Sequence, residues 1–233
     1  MTNAQVLSVS SVSHGFVDQD GQHLPILRDV SLQINQGDSV AIVGPSGAGK
    51  STLLALLAGL DVPNQGEIRL LDQSFSTLSE DARAKARQGS VGFVFQSFQL
   101  LPGLTALENV MLPLELAGVS VKLAKQRAAD WLTRVGLGAR LRHRPRMLSG
   151  GEQQRTAVAR AFVTDPALLF ADEPTGNLDR RTGESISDLL FQLNQDTGAT
   201  LVLVTHDERL ASRCDRIFTL DEGQLQESTA CSV

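Results

Sequence analysis

Gly44-Pro45-Ser46-Gly47-Ala48-Gly49-Lys50-Ser51 carries the most specific chemistry in the chain. It fits GxxxxGK[ST] at every position, a spacing whose glycines let backbone N–H groups curl around phosphate oxygens. A helix that follows such a loop turns its positive end toward the same anion. Lys50 would then neutralise β- and γ-phosphates, and Ser51 would offer a hydroxyl to Mg²⁺. The bland alternative is a glycine turn before a helix. With glycine at about 7% of residues, a chance match somewhere in the chain is roughly one in a hundred.

Two further stretches suit the same chemistry. Leu168-Leu169-Phe170-Ala171-Asp172-Glu173 is an apolar run closed by two carboxylates. A run of that kind fits the centre of a parallel sheet, whose carboxyl ends face ligands. Asp172 can then hold the shell of a magnesium ion, and Glu173 can polarise an attacking water. An acidic turn is the alternative. In Leu148-Ser149-Gly150-Gly151-Glu152-Gln153, Ser149 is placed to cap a helix over Thr156 to Val163, and Gly150 and Gly151 expose backbone N–H groups at its start. This is either one more capped helix or a second anion site, and a chain with two such sites suggests that each serves half of a dimer.

The elements that must position these residues follow from patterning. Val6 to Val12 alternates apolar residues with serine, and Ile26 to Ile34 forms a second strand after a polar turn at Asp18 to Gln22. Ser39 to Val43, the glycine loop and a helix from Lys50 to Leu60 make the first half of a βαβ unit. Strands are expected at Gly66–Leu71, Val91–Phe95, Ala167–Ala171, Thr200–Thr205 and Arg216–Leu220, with a charged helix from Ser79 to Gln88. From Leu104 to about Gly136 the pattern is helical, with a kink or break at Pro113. The pattern predicts an α/β fold with a mostly parallel core sheet, antiparallel N-terminal strands and an inserted helical lobe. Residues 1–233 read as one domain, the lobe covering roughly 97–165 and a loose tail 228–233.

Composition narrows the function. The chain has 233 residues, 42% of them hydrophobic, and a net charge of −5. That balance disfavours nucleic acid as a partner. Cys214 and Cys231 support neither a disulfide framework nor a metal cluster. The N-terminus lacks a basic region before an apolar stretch, and the longest apolar run, Leu53 to Leu60, is too short to span a bilayer, so no secretory signal and no membrane insertion are expected. His14, His23 and His143 have no ligand spacing and read as surface residues. The basic cluster Arg140, Arg142, His143, Arg144 and Arg146 reads as a solvated loop or a contact to a partner subunit.

Taken together, these motifs resemble those of the ATP-binding cassette (ABC) proteins over roughly residues 5 to 227. Gly44 to Ser51 is similar to the Walker A motif, Leu168 to Asp172 to Walker B, and Leu148 to Gln153 to the family signature. Gln96 resembles the Q-loop glutamine, Asn177-Leu178-Asp179 the D-loop, and His206 the switch histidine. Phe16 sits where the family places an aromatic against adenine; a core phenylalanine is the other reading. Gly176-Asn177, where many importers have Ser-Ala, together with Gly59-Leu60-Asp61, is similar to lipoprotein-releasing and macrolide-exporting ATPases. Glu152 stands where the commonest family residue is Gln.

The resemblance implies a P-loop NTPase that binds ATP with Mg²⁺ and hydrolyses it. Nucleotide contacts would come from Phe16, from Gly44, Pro45, Ser46, Gly47, Ala48, Gly49, Lys50, Ser51 and Thr52, and from Gln96, Ser149, Gly150, Gly151 and Asp179. Ser51, Gln96 and Asp172 would serve the metal, and Glu173, His206 and Lys50 the chemistry. Two copies would sandwich two ATP molecules, and an integral membrane permease would convert their motion into work. Such a subunit would be cytoplasmic, peripheral on the inner face of the membrane. A regulatory module of a membrane or cell-wall complex, without a transported substrate, is the alternative. A soluble cassette protein acting on DNA or the ribosome fits less well, because there is one cassette and no long insert between Gln96 and Ser149.

Overall fold

The computed structural model describes residues 4–17 and 21–228. Most of the turn expected at Asp18 to Gln22 therefore lies outside the described residues, as does the tail beyond Ser228.

In chain order the first elements are β1 (Gln5–Val17), β2 (His23–Asn35), β3 (Ser39–Val43) and α1 (Lys50–Leu57). Next come β4 (Gln65–Leu70), β5 (Gln73–Ser74), α2 (Glu80–Arg87) and β6 (Val91–Phe95). Helices α3 (Ala106–Leu116), α4 (Val121–Arg134) and α5 (Gly150–Phe162) follow, then β7 (Leu168–Asp172) and α6 (Arg180–Thr197). The chain closes with β8 (Thr200–Val204), α7 (Glu208–Ala211), β9 (Arg216–Asp221) and β10 (Gln224–Ser228). Two compact units result: one runs to Ala86 and resumes at Thr200, the other is Arg87–Ala199.

In the first unit, β3 pairs in parallel with β8 on one side and β9 on the other. Being central, it is apolar without alternation, and Val40, Ala41 and Ile42 are fully buried. Strands β2, β1, β4 and β5 form a separate antiparallel sheet. In β1 the buried residues Leu7 and Val9 are two apart, but the next, Val12, is three away. A register shift between Val9 and Val12, with Ser11 at φ 49°, supplies the extra residue and keeps Val12 on the inner face. Strand β10 pairs antiparallel with β9. Its sequence, QLQES, has too little apolar alternation to be read as a strand.

In the second unit β6 and β7 pair in parallel, in a register that sets Phe95 beside Asp172. Their carboxyl ends thus hand the chain on to Gln96 and Glu173 side by side. A Cβ on Gly92 would collide with the Ala161 carbonyl oxygen, so glycine here lets α5 lie close on β6. Helices α3, α4 and α5 pack around Val110, Leu114, Ala128, Leu132, Val158 and Phe162, and Trp131 stacks on Phe162 at 5.7 Å. Of the kink or break expected at Pro113, the break does not occur. Helix α3 runs through Pro113, and the chain turns instead at Gly118, at φ 77°. A proline costs a helix one N–H donor, but near the end of α3 little helix remains to be disrupted.

Asn109, fully buried on α3, fixes the segment that leads into this helix. Its Oδ1 accepts from the Leu101 N–H at 2.8 Å, while Nδ2 donates to the carbonyls of Leu101 (3.2 Å) and Thr105 (2.9 Å). Asn109→Leu would leave these backbone groups without their partner, at about 1–3 kcal/mol for each one left buried and unpaired. A loss of stability of about 2–4 kcal/mol is expected in chemical denaturation. An unchanged midpoint would show that water takes over these bonds.

Candidate nucleotide site

The phosphate loop joins β3 to α1. A Cβ on Gly44 would strike the carbonyl oxygen of Leu220, and one on Gly49 would lie 2.8 Å from Ile26 Cγ2. Gly47 and Gly49 also take φ of 83° and 95°, a region closed to most side chains. The loop can therefore have this course only with glycine at these places. Lys50, at 9% exposure, donates through Nζ to the carbonyls of Gly44 (2.8 Å) and Pro45 (2.9 Å), tying the loop across its mouth. Ser51 is exposed and Thr52 half-buried just beyond it. Helix α1 starts on Gly49 with no capping side chain and no acid in its first turn. Its N–H groups, the glycine curve and the lysine together fit a polyphosphate.

Asp172 closes β7, half-buried, and Glu173 follows at φ 45°. A left-handed backbone at a non-glycine residue costs on the order of 1–3 kcal/mol. Gln154, fully buried on α5, supports the turn by donating to the Pro174 carbonyl at 2.5 Å. Sequence reading passed over Gln154; a glutamine on the inner face of a helix was the available signal. Among the described residues no cluster of His, Cys, Asp or Glu could hold a metal by itself. The hydroxyl, carboxamide and carboxylate of Ser51, Gln96 and Asp172 are oxygen donors of the kind Mg²⁺ accepts together with phosphate.

Gln96 stands at the end of β6 against the D-loop, where Nε2 reaches Asn177 Oδ1 at 3.2 Å. Asp179 caps α6 through the Thr182 N–H at 3.1 Å, and its hydrogen bonds to Thr182 hold its carboxyl below the ordinary range. His206 is exposed after β8, with Asp207 capping α7 next to it.

The signature serine is a cap. Ser149 Oγ accepts from the Glu152 N–H at 3.3 Å, and Glu152 Oε2 accepts from the Ser149 N–H at 2.8 Å, a reciprocal box at the start of α5. Glu152 also takes a bond from Arg140 Nε at 2.9 Å. The Ser149 bond first, and Arg140 second, hold the Glu152 carboxyl below its usual range. Gly150 and Gly151 form the first turn; a Cβ on Gly151 would lie 2.6 Å from Thr182 Cγ2. Of the basic cluster, Arg140 thus meets an acid within the chain, while Arg142, Arg144 and Arg146 are exposed.

Phe16 is 52% exposed, which removes the reading of it as a core residue. His14 corrects the expectation of a surface histidine: at 6% exposure it lies edge-on to Phe16, ring centroids 5.2 Å apart, beneath the exposed aromatic. The bulge in β1 turns it inward, which a strict two-residue alternation does not anticipate. His143 is half-buried.

Known proteins resemble this chain over most of its length. A family model described as ABC transporter matches residues 27–176. The ABC transporter ATP-binding protein YbbA of Escherichia coli (strain K12) is 56% identical over 211 residues, 91% of this chain and 92% of that protein. The lipoprotein-releasing system ATP-binding protein LolD of Legionella pneumophila (strain Paris) is 52% identical over 200 residues, 86% and 88% of the two chains. Among solved structures, the dimeric post-hydrolysis state of the ATP-binding cassette MJ0796 bound to ADP and Pi superposes with a TM-score of 0.89 at 39% identity. That match covers 97% of this chain and 100% of the other. With its glycine loop, its capped signature helix and these relatives, the chain belongs to the ABC transporter family, as an ATP-binding and ATP-hydrolysing subunit.

Proposed function

We propose that two copies of this chain clamp two ATP molecules and drive an integral membrane permease of the export, lipoprotein-release or mechanotransmission kind. The observation that carries this reading is the phosphate loop, with Lys50 buried at the start of a helix that no side chain caps. Lys50 and Ser51 would serve the phosphates, the exposed Phe16 ring adenine, and His206 the γ-phosphate. Asp172 and Gln96 would serve the metal, and Glu173 would orient water and accept its proton. Mg²⁺ supplies charge that offsets the phosphate oxygens during transfer. Ser149 to Gly151 of each copy faces the γ-phosphate held by the other, with Asp179 at the same border. The likeness to a dimeric cassette supports this pairing, and the likeness to LolD supports the class of permease.

Membrane attachment then depends on the permease, since among the described residues no helix is long and apolar enough to cross a bilayer. Of the apolar residues after Gln96, Val110, Met111 and Leu114 are buried in the helical layer, while Leu100 is half-buried and Leu101 is 46% exposed. The docking surface includes Leu100 and Leu101, and Asn109 holds the backbone of Leu101. Leu100→Glu with Leu101→Glu is expected to release the ATPase from membranes when cells that also make the adjacent permease are fractionated. Nucleotide binding should be kept. Equal recovery on membranes with and without the permease, or after these substitutions, would remove the docking site.

A further inference from the structure

We infer that Asn177 is a positioning residue that sets which way the Gln96 carboxamide points, and that Gly176 is glycine to give that side chain room. Gln96 Nε2 donates to Asn177 Oδ1 at 3.2 Å, and Asn177 Nδ2 donates back to the Gln96 carbonyl at 3.0 Å. The second bond decides the first. A backbone carbonyl can only accept, so the asparagine atom upon it is the nitrogen, and its oxygen faces Gln96. Gln96 must answer that oxygen with its own nitrogen. The carboxamide oxygen, Oε1, is thereby left as the atom that can turn to a cation.

Gly176 supplies the space. Its φ lies outside the left-handed region, so an alanine would suit the backbone. A Cβ there would nonetheless fall 2.8 Å from Gln96 Nε2 and 3.1 Å from its Cδ. Alanine would displace the end of this flexible side chain while sparing the main chain.

The backbone beyond Gln96 is fixed independently. Phe98 and Gln99 take φ of 59° and 48°, and Arg160 on α5 donates to both of their carbonyls, at 3.0 and 2.6 Å. With the main chain held, the carboxamide is what remains to be oriented, and Asn177 orients it. Gly176-Asn177 thus acts through Gln96, and the D-loop reports to the Q-loop through one pair of amides.

The inference rests on the reading of Gln96 as a magnesium ligand. It is tested by titrating Mg²⁺ into the purified full chain with a fluorescent ATP analogue and measuring the midpoint of metal-dependent binding. Gln96→Ala should raise that midpoint. Asn177→Ala and Gly176→Ala should each raise it by about 10-fold, the scale for losing a group that orients a metal ligand. Neither should raise it further in the Gln96→Ala background, and melting temperatures should show all variants folded. Equal shifts with and without Gln96, or no shift for Asn177→Ala, would overturn the positioning role while leaving Gln96 as a ligand. An unchanged midpoint in Gln96→Ala itself would overturn both.

Discussion

Lys50→Ala is expected to lower ATP hydrolysis by at least about 10²–10³-fold, the scale for removing one pre-placed group that stabilises transferring charge. The loss has two sources. The ammonium is the buried cation of the loop, and it also ties the Gly44 and Pro45 carbonyls together. Alanine removes the charge and the tie at once, so nucleotide affinity should fall along with turnover. Phosphate release by the purified protein, alone and with its permease, measures the first, and equilibrium binding of labelled ATP the second. Turnover near that of the unmodified chain would remove Lys50 from its role.

Glu173→Gln should show a different pattern. Turnover is expected to drop by about 10²–10⁴-fold, the range for a general base, while ATP stays bound. Glutamine has almost the same shape and asks the same left-handed φ of 45° that glutamate already adopts. Gln154 keeps its bond to the Pro174 carbonyl in the variant, so the turn persists. With nucleotide retained, two chains should stay together, and size-exclusion chromatography with ATP and Mg²⁺ should show a dimer. Ser149→Arg in the same background should abolish it, because a bulky cation would replace the cap at the start of α5. A Glu173→Gln chain that remains monomeric at saturating ATP, with or without the permease, would count against the clamp.

Most of what positions the phosphate loop was legible in the sequence, because the causes are local. Ser39 to Val43 is an unbroken apolar run, the loop glycines follow directly, and a helix follows them. Ser149 was legible as a cap for the same reason, with Glu152 three residues on. The illegible features depend on partners far along the chain. Gln96 and Asn177 meet across 81 positions, and Arg160 reaches Gln99 across 61. His14 was misread because the bulge in β1 changes which residues face inward. Pro113 was read as a kink or break, and α3, which runs through it near its end, excludes the break. The polar strand β10 left no hydrophobic trace, since an outer strand draws its order from the backbone bonds of β9.

The two glycine-led helix starts differ in a way that sets an order of events. No side chain caps the first turn of α1, whereas at α5 the Ser149 hydroxyl takes the Glu152 N–H and the Glu152 carboxylate takes the Ser149 N–H. An anion can settle on α1 without competition, but at α5 it must contend with an acceptor the chain supplies itself. In the proposed clamp, ATP would therefore settle first at the start of α1. If Ser149 to Gly151 meets the γ-phosphate of a loaded neighbour, as proposed, the pair would work as a coincidence detector, closing in response to occupancy of the other chain rather than to free nucleotide.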